Sequence, residues 1–154
     1  MKFSTREDIE VPIADTFARV SDFVAFERRA LQHGAQITRV DDGPVNIGAQ
    51  WHIAFKFRGR ARTLDAVLTN FDQPNSYQVT GSTDGMDSTT EVELVALSPS
   101  RTRIIVGFDV RAKTMTSRLI LQSMKLAKAK LTKRFRARVL EFCEEIEDSY
   151  RKAQ

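Results

Sequence analysis

Few side chains in this sequence are suited to chemistry: His33, His52, Cys143, Tyr77 and Trp51. A zinc site needs three or four clustered ligands. His33, His52 and Cys143 lie far apart in sequence, on what read as different elements, so no metal is expected. No G-x-S-x-G, P-loop or G-x-G-x-x-G run occurs. Gly81-Ser82-Thr83-Asp84-Gly85 lacks the nucleophile-elbow pattern and reads as a loop. Asp65, Glu91, Glu93 and Asp109 are mostly opposite in parity to their apolar neighbours, so no inward general acid or base is expected. His52 shares the outward parity of Lys56, and His33 falls near a helix end. Cys143 follows Phe142 and reads as a partly buried, unreactive thiol. The polar groups expected to face inward are the Tyr77 hydroxyl and the Trp51 N–H, each able to orient a ligand or to satisfy a buried partner. The sequence therefore predicts no catalytic residue, no metal and no cofactor.

Charge is the second signal. The chain carries 24 Lys/Arg and 20 Asp/Glu, a net charge of +4. Nine of the basic residues fall between Lys113 and Arg138, where no acid occurs, leaving 15 basic against 20 acidic residues elsewhere. Glu141, Glu144, Glu145, Glu147 and Asp148 then reverse the sign. A helix dipole prefers the opposite order. Lys130–Arg134, Arg134–Arg138 and Glu141–Glu145 are like-charge i,i+4 pairs, each unfavourable by about 0.2–0.5 kcal/mol. Helix stability did not select this arrangement. It is either a solvated face or a surface for an anionic partner.

The elements that position these residues follow from periodicity. Lys2 to Val11 alternates as a half-exposed strand. Pro12 opens a helix through Ile13, Phe17 and Val20. Asp22 caps a second short helix through Phe23, Phe26 and Leu31, which Gly34 ends. Trp51, Ile53, Phe55 and Phe57 alternate with His52, Ala54, Lys56 and Arg58, and Arg58-Gly59 turns into Arg60–Phe71, where Leu64, Ala66 and Leu68 share a parity. Tyr77 and Val79, then Val92, Leu94 and Ala96, then Ile104, Val106, Phe108 and Val110 continue an antiparallel meander. From about Thr116 to Tyr150 the period becomes helical. Ile120, Met124, Ala127, Leu131, Phe135, Val139, Phe142 and Ile146 form one stripe of an uninterrupted helix. At 154 residues, with no linker or internal repeat, one domain over 1–154 is expected.

The order strand, two short helices, meander and long helix resembles the helix-grip fold of the SRPBCC (START-like) superfamily, in its polyketide cyclase/dehydrase and lipid-transport branch. The resemblance rests on Ile9-Glu10-Val11-Pro12-Ile13 with Phe17 and Val20-Ser21-Asp22, and on Gly48 with Trp51. Arg58-Gly59-Arg60, Pro74 and the run from Thr89 through Glu91-Val92, Leu94 and Pro99 to Arg101-Thr102-Arg103 complete it. It implies an α+β fold in which a curved antiparallel sheet wraps the terminal helix around an apolar cavity. Parity then nominates Trp51, Ile53, Phe55, Phe57, Leu64, Leu68, Tyr77, Val79, Val92, Leu94, Ile104, Val106 and Phe108 as its lining. Met124, Leu131 and Phe135 would close it from the helix. The same side chains serve equally for a dry core.

The resulting expectation is a non-catalytic binder or carrier of a small hydrophobic molecule, such as a lipid, a quinone or a polyketide-like ligand. The alternatives are a cyclase or dehydratase using Tyr77, and a module whose basic helix docks on an anionic membrane or a partner. Nucleic acid is disfavoured because the sequence offers no exposed stacking aromatics. A lone cysteine suits a reducing compartment, Arg6, Glu7, Asp8 and Glu10 are unlike a signal peptide, and no apolar run approaches a membrane span. A cytoplasmic location is expected.

Overall fold

The computed structural model describes residues Met1–Gln154. Its elements, in chain order, are β1 (Lys2–Ile9), α1 (Ile13–Val20), α2 (Phe23–Gln32), β2 (Gln36–Arg39), β3 (Gln50–Phe57), β4 (Arg60–Asp72), β5 (Ser76–Thr83), β6 (Met86–Ser98), β7 (Arg101–Ala112), α3 (Met115–Lys125) and α4 (Lys128–Ala153). The strands form one sheet in the order β1-β7-β6-β5-β4-β3-β2, with every pair antiparallel. First and last strands therefore pair, and α1 and α2 carry the chain to the far edge. This is the expected helix-grip arrangement.

Local chemistry explains the boundaries. The Asp22 carboxylate accepts from Ala25 N at 3.1 Å and starts α2. Gly34, at φ +84°, ends it. Ala35 N then reaches Ala30 O at 2.9 Å and Gly34 N reaches Leu31 O at 3.2 Å, the paired bonds of a Schellman stop. Arg58 and Gly59 both take positive φ, as a two-residue hairpin turn with the right twist demands. Bulges after Leu68 and Ala96 shift the register and bend their strands.

Two segments differ from the sequence reading. Gly81–Gly85 is not a loop: β5 runs to Thr83 and β6 starts at Met86, so only Asp84-Gly85 turns the chain. Small polar residues there hide the period of two that apolar side chains would reveal. The terminal helix is also interrupted. Ala127, at φ −105° and ψ 14°, donates to Met124 O, three residues back, at 3.0 Å. Leucine and alanine are strong helix formers, so tertiary docking is the cause. The start of α3 is held at the β5–β6 turn, where Lys113 N reaches Gly85 O at 2.6 Å and the Thr114 hydroxyl caps Ser117 N. The far end of α4 is held by Glu147, which accepts from Glu10 N at 3.0 Å. A straight rod cannot follow the curved sheet between these two anchors.

Gly85 seats α3 twice over: its φ is +78°, and a Cβ there would overlap the Ser117 and Thr114 hydroxyls. Gly85→Ala should destabilise the fold by about 1 kcal/mol or more, seen as a lower thermal midpoint with raised hydrogen exchange concentrated in α3.

Candidate functional site

The concave face can be read row by row from the strand register. Trp51 faces Ala66, Ile53 faces Leu64 and Phe55 faces Arg62 across β3 and β4. Tyr77 faces Val92, Val79 faces Thr90 and Gly81 faces Ser88 across β5 and β6. Ile104 faces Glu7, Val106 faces Thr5 and Phe108 faces Phe3 across β7 and β1. Directly opposed residues share a face of the sheet, so these rows line the grip.

The face is filled at one end only. Trp51, Leu68, Tyr77, Val92, Leu94 and Ile104 are buried in one cluster with Ile9, Phe17, Val20, Cys143 and Ile146. These six nominated lining residues are packed core. Ile53, Leu64, Val79 and Val106 sit at the edge of that cluster and are half-buried. Phe55, Phe57 and Phe108 share that face by register, and like Met124, Leu131 and Phe135 on the helices they are half-buried and lie outside the cluster. Phe135 packs from α4 on Phe3 of β1, with ring centroids 5.9 Å apart, and Phe3 stacks in turn on Phe108 at 6.5 Å. Water therefore reaches apolar side chains that point at the helix.

Two concavities adjoin the sheet, one at each end. A mainly apolar cavity of about 110 Å³ lies under α2, against Phe23, Phe26, Glu27, Trp51, Ile53 and Val79. A larger, polar cleft of about 460 Å³ lies between the β3–β4 hairpin, the β5–β6 turn and the start of α3, against Arg60, Arg62, Thr83, Asp84, Ser117 and Ile120. Arg62 projects inward beside Phe57, its guanidinium 5.4 Å from the ring centroid, and makes no ion pair. Parity could have found Arg62, two residues before Leu64, and Glu7, between Phe3 and Ile9 on the same face. Both are half-buried.

The two inward polar groups expected from sequence are already engaged. Tyr77 Oη donates to Val20 O at 2.7 Å, and burial raises its pKa above the ordinary phenol value. Trp51 Nε1 donates to Glu27 at 3.1 Å. The Arg39 guanidinium lies 5.6 Å from the Trp51 ring centroid and is gripped by Asp41 at 2.8 and 2.9 Å. Arg39 and the Gln50 N–H hold the Asp41 carboxyl well below the usual carboxylate range. Burial, with smaller effects from Glu7, Glu147 and Glu144, pushes the Cys143 thiol up to about 12. His52 pairs with Asp65 on the outer face at 2.9 Å, His33 is the exposed C-cap of α2, and no three His, Cys, Asp or Glu side chains cluster as metal ligands.

The sequence matches no family model and no curated protein. Solved structures do share the fold. The Zhui aromatase/cyclase from Streptomyces sp. R1128 superposes with a TM-score of 0.74 at 11% identity, over 99% of this chain and 97% of that one. TTHA0849 from Thermus thermophilus gives 0.69 at 11% identity, over 97% and 99%. Ara h 8.0201 gives 0.58 at 17% identity, over 92% and 98%. The chain shares the architecture of these structures, an antiparallel sheet gripping a long C-terminal helix, over nearly its whole length.

Two outcomes test this description. Tyr77→Phe leaves a buried carbonyl without its donor, so it should cost about 1–3 kcal/mol in denaturant unfolding. The Cys143 thiolate is scarce at pH 8, so a disulfide reagent should label the native protein far more slowly than the unfolded chain. Equal rates would contradict the burial of Cys143.

Proposed function

We propose that the protein binds one small, mainly apolar molecule in the open half of the grip and carries it without chemical change. The observation that carries this reading is the set of concave-face aromatic side chains Phe55, Phe57 and Phe108, left half-buried with Met124 and Leu131 of the helices and outside the core cluster. Exposed apolar surface of this kind is unfavourable by about 25 cal/mol per Å², and a hydrophobic ligand removes it. Arg62, with Thr83, Ser88 and Thr90 on the same face, suits a ligand that carries one acceptor or anionic group at its polar end. A lipid, a quinone or a polyketide-like ring system meets both requirements.

A cyclase or dehydratase is the second reading, favoured by the likeness to an aromatase/cyclase. Its weakness is the acid: the Tyr77 hydroxyl is bound to Val20 O inside the packed end, away from the open half. Reactive-chain folding there would have to rely on Arg62.

Titration with anilinonaphthalene sulfonate, an apolar fluorophore bearing one anionic group, tests the first reading. One equivalent should bind with a blue-shifted emission. Phe55→Ala should weaken binding by tenfold or more, whereas Val95→Ser on the outer face should not. Phe55 is only half-buried, so its truncation should cost less than the roughly 3–5 kcal/mol of a fully buried phenylalanine, leaving a folded variant to assay. Unchanged binding by folded Phe55→Ala would refute the proposed location.

A further inference from the structure

Helix α3 is apolar on two opposite sides. Ser117 and Leu121 are buried against the rest of the protein. Met115, Leu119 and Leu126, the residue that caps the helix, are 70%, 61% and 92% exposed. At about 100° per residue these three fall within roughly 40° of one another, forming a row that nothing in the protein covers. Leu126 stands at the interruption between α3 and α4, which explains its extreme exposure.

Cations without partners flank this row. Arg118 and Lys125 lie to one side of it on the helix. On the other side, Arg58 Nη2 donates to Ser123 Oγ at 2.9 Å, bringing the β3–β4 hairpin and Arg60 to α3. Lys113 and Arg138 pair with Asp87 at 3.0 Å and Glu141 at 4.0 Å, but the seven basic residues between them make no ion pair, and neither do Arg58 and Arg60. Asp84 stands at the cleft beside Arg60 and Arg62.

We infer that the outer face of α3, with the β3–β4 hairpin and the start of α4, docks on an anionic lipid surface. Leu119 and Leu126 enter the boundary between headgroups and acyl chains, and Arg58, Arg118, Lys125, Lys128 and Lys130 meet lipid phosphates. An apolar row rimmed by basic residues is the composition that such a boundary accepts. A second copy of the chain would set unpaired cations against cations. A nucleic acid would satisfy the cations but offer no apolar phase to the leucines, and no exposed aromatic side chain is present to stack on bases. The inference does not depend on the ligand proposal, because probe binding is measured without vesicles.

Co-sedimentation with phosphatidylcholine vesicles, with and without phosphatidylglycerol, tests the docking surface. Binding should require the anionic lipid and weaken as salt rises. Changing Lys125, Lys128, Lys130 and Lys133 to Gln should lower affinity by roughly fivefold per engaged residue. Leu119→Ser with Leu126→Ser should lower it at least tenfold with every charge retained, and the new indole of Leu126→Trp should shift its emission to the blue on anionic vesicles. All these positions are exposed, so circular dichroism should be unchanged. Equal binding to neutral and anionic vesicles would overturn the inference. So would binding indifferent to the two leucine substitutions, an unshifted emission, or tighter binding to duplex DNA that those substitutions leave intact.

Discussion

One geometric constraint governs this protein: a helix is too narrow to cover the concave face of a seven-stranded sheet. Six inter-strand spacings of about 4.8 Å make the face roughly 29 Å wide, whereas a helix with its side chains is about 10 Å across. Helix α4 closes the β1 side through Phe135, Cys143 and Ile146. Helices α1 and α2 close one end, where Phe17 meets Phe71 at 5.4 Å and Phe23 meets Trp51 at 5.1 Å. Curvature narrows what is left but does not close it. The open half of the grip is what remains once the available helices have been used.

Stability is correspondingly concentrated. The packed end joins elements distant in sequence through a few buried polar ties. Tyr77 Oη holds Val20 O, and Thr102 Oγ1 holds Val11 O at 2.7 Å. In these bonds the sheet fixes the ends of the segments that cross beneath it, and no buried side-chain polar atom is left without a partner. Carboxylates on the outer face work differently: Arg103 forks onto Asp8 at 2.8 and 3.2 Å across β7 and β1, a partly exposed pair of modest value. The open end is less tightly packed: Phe55, Phe57 and Phe108 there are only half-buried. That division lets the side chains at Phe55 or Arg62 change without loosening the core.

Much of this was legible in the residues. Period-two runs such as Trp51–Phe57 and Ile104–Val110 specify both strand and facing, because a one-residue slip would turn every apolar side chain to water. Pro12, Asp22 and Gly34 mark helix ends by local chemistry, which is why α1 and α2 were placed closely. The interruption at Leu126–Ala127 was not legible, since both residues favour helix and the break arises from anchors at Gly85 and Glu10, far away in sequence. The hairpin through Gly81–Ser88 was hidden by its polar composition. Lining residues were legible by parity but not by packing: parity puts Leu68 and Phe55 on the same face, and only the three-dimensional fold separates the buried one from the half-open one. Of the two roles open to Tyr77 and Trp51, the fold supplies the hydrogen-bond partner, but the partners themselves, Val20 O and Glu27, lie on helices and were not legible from strand parity.

The central claim is that the open half of the grip is a binding site rather than a packing defect. Native mass spectrometry after incubation with a mixture of fatty acids, quinones and polycyclic aromatics tests it most directly. The account predicts one ligand per chain, selected from the mixture, with Arg62→Gln changing which member is retained. A spectrum showing only the bare polypeptide, from protein whose circular dichroism is native, would contradict it.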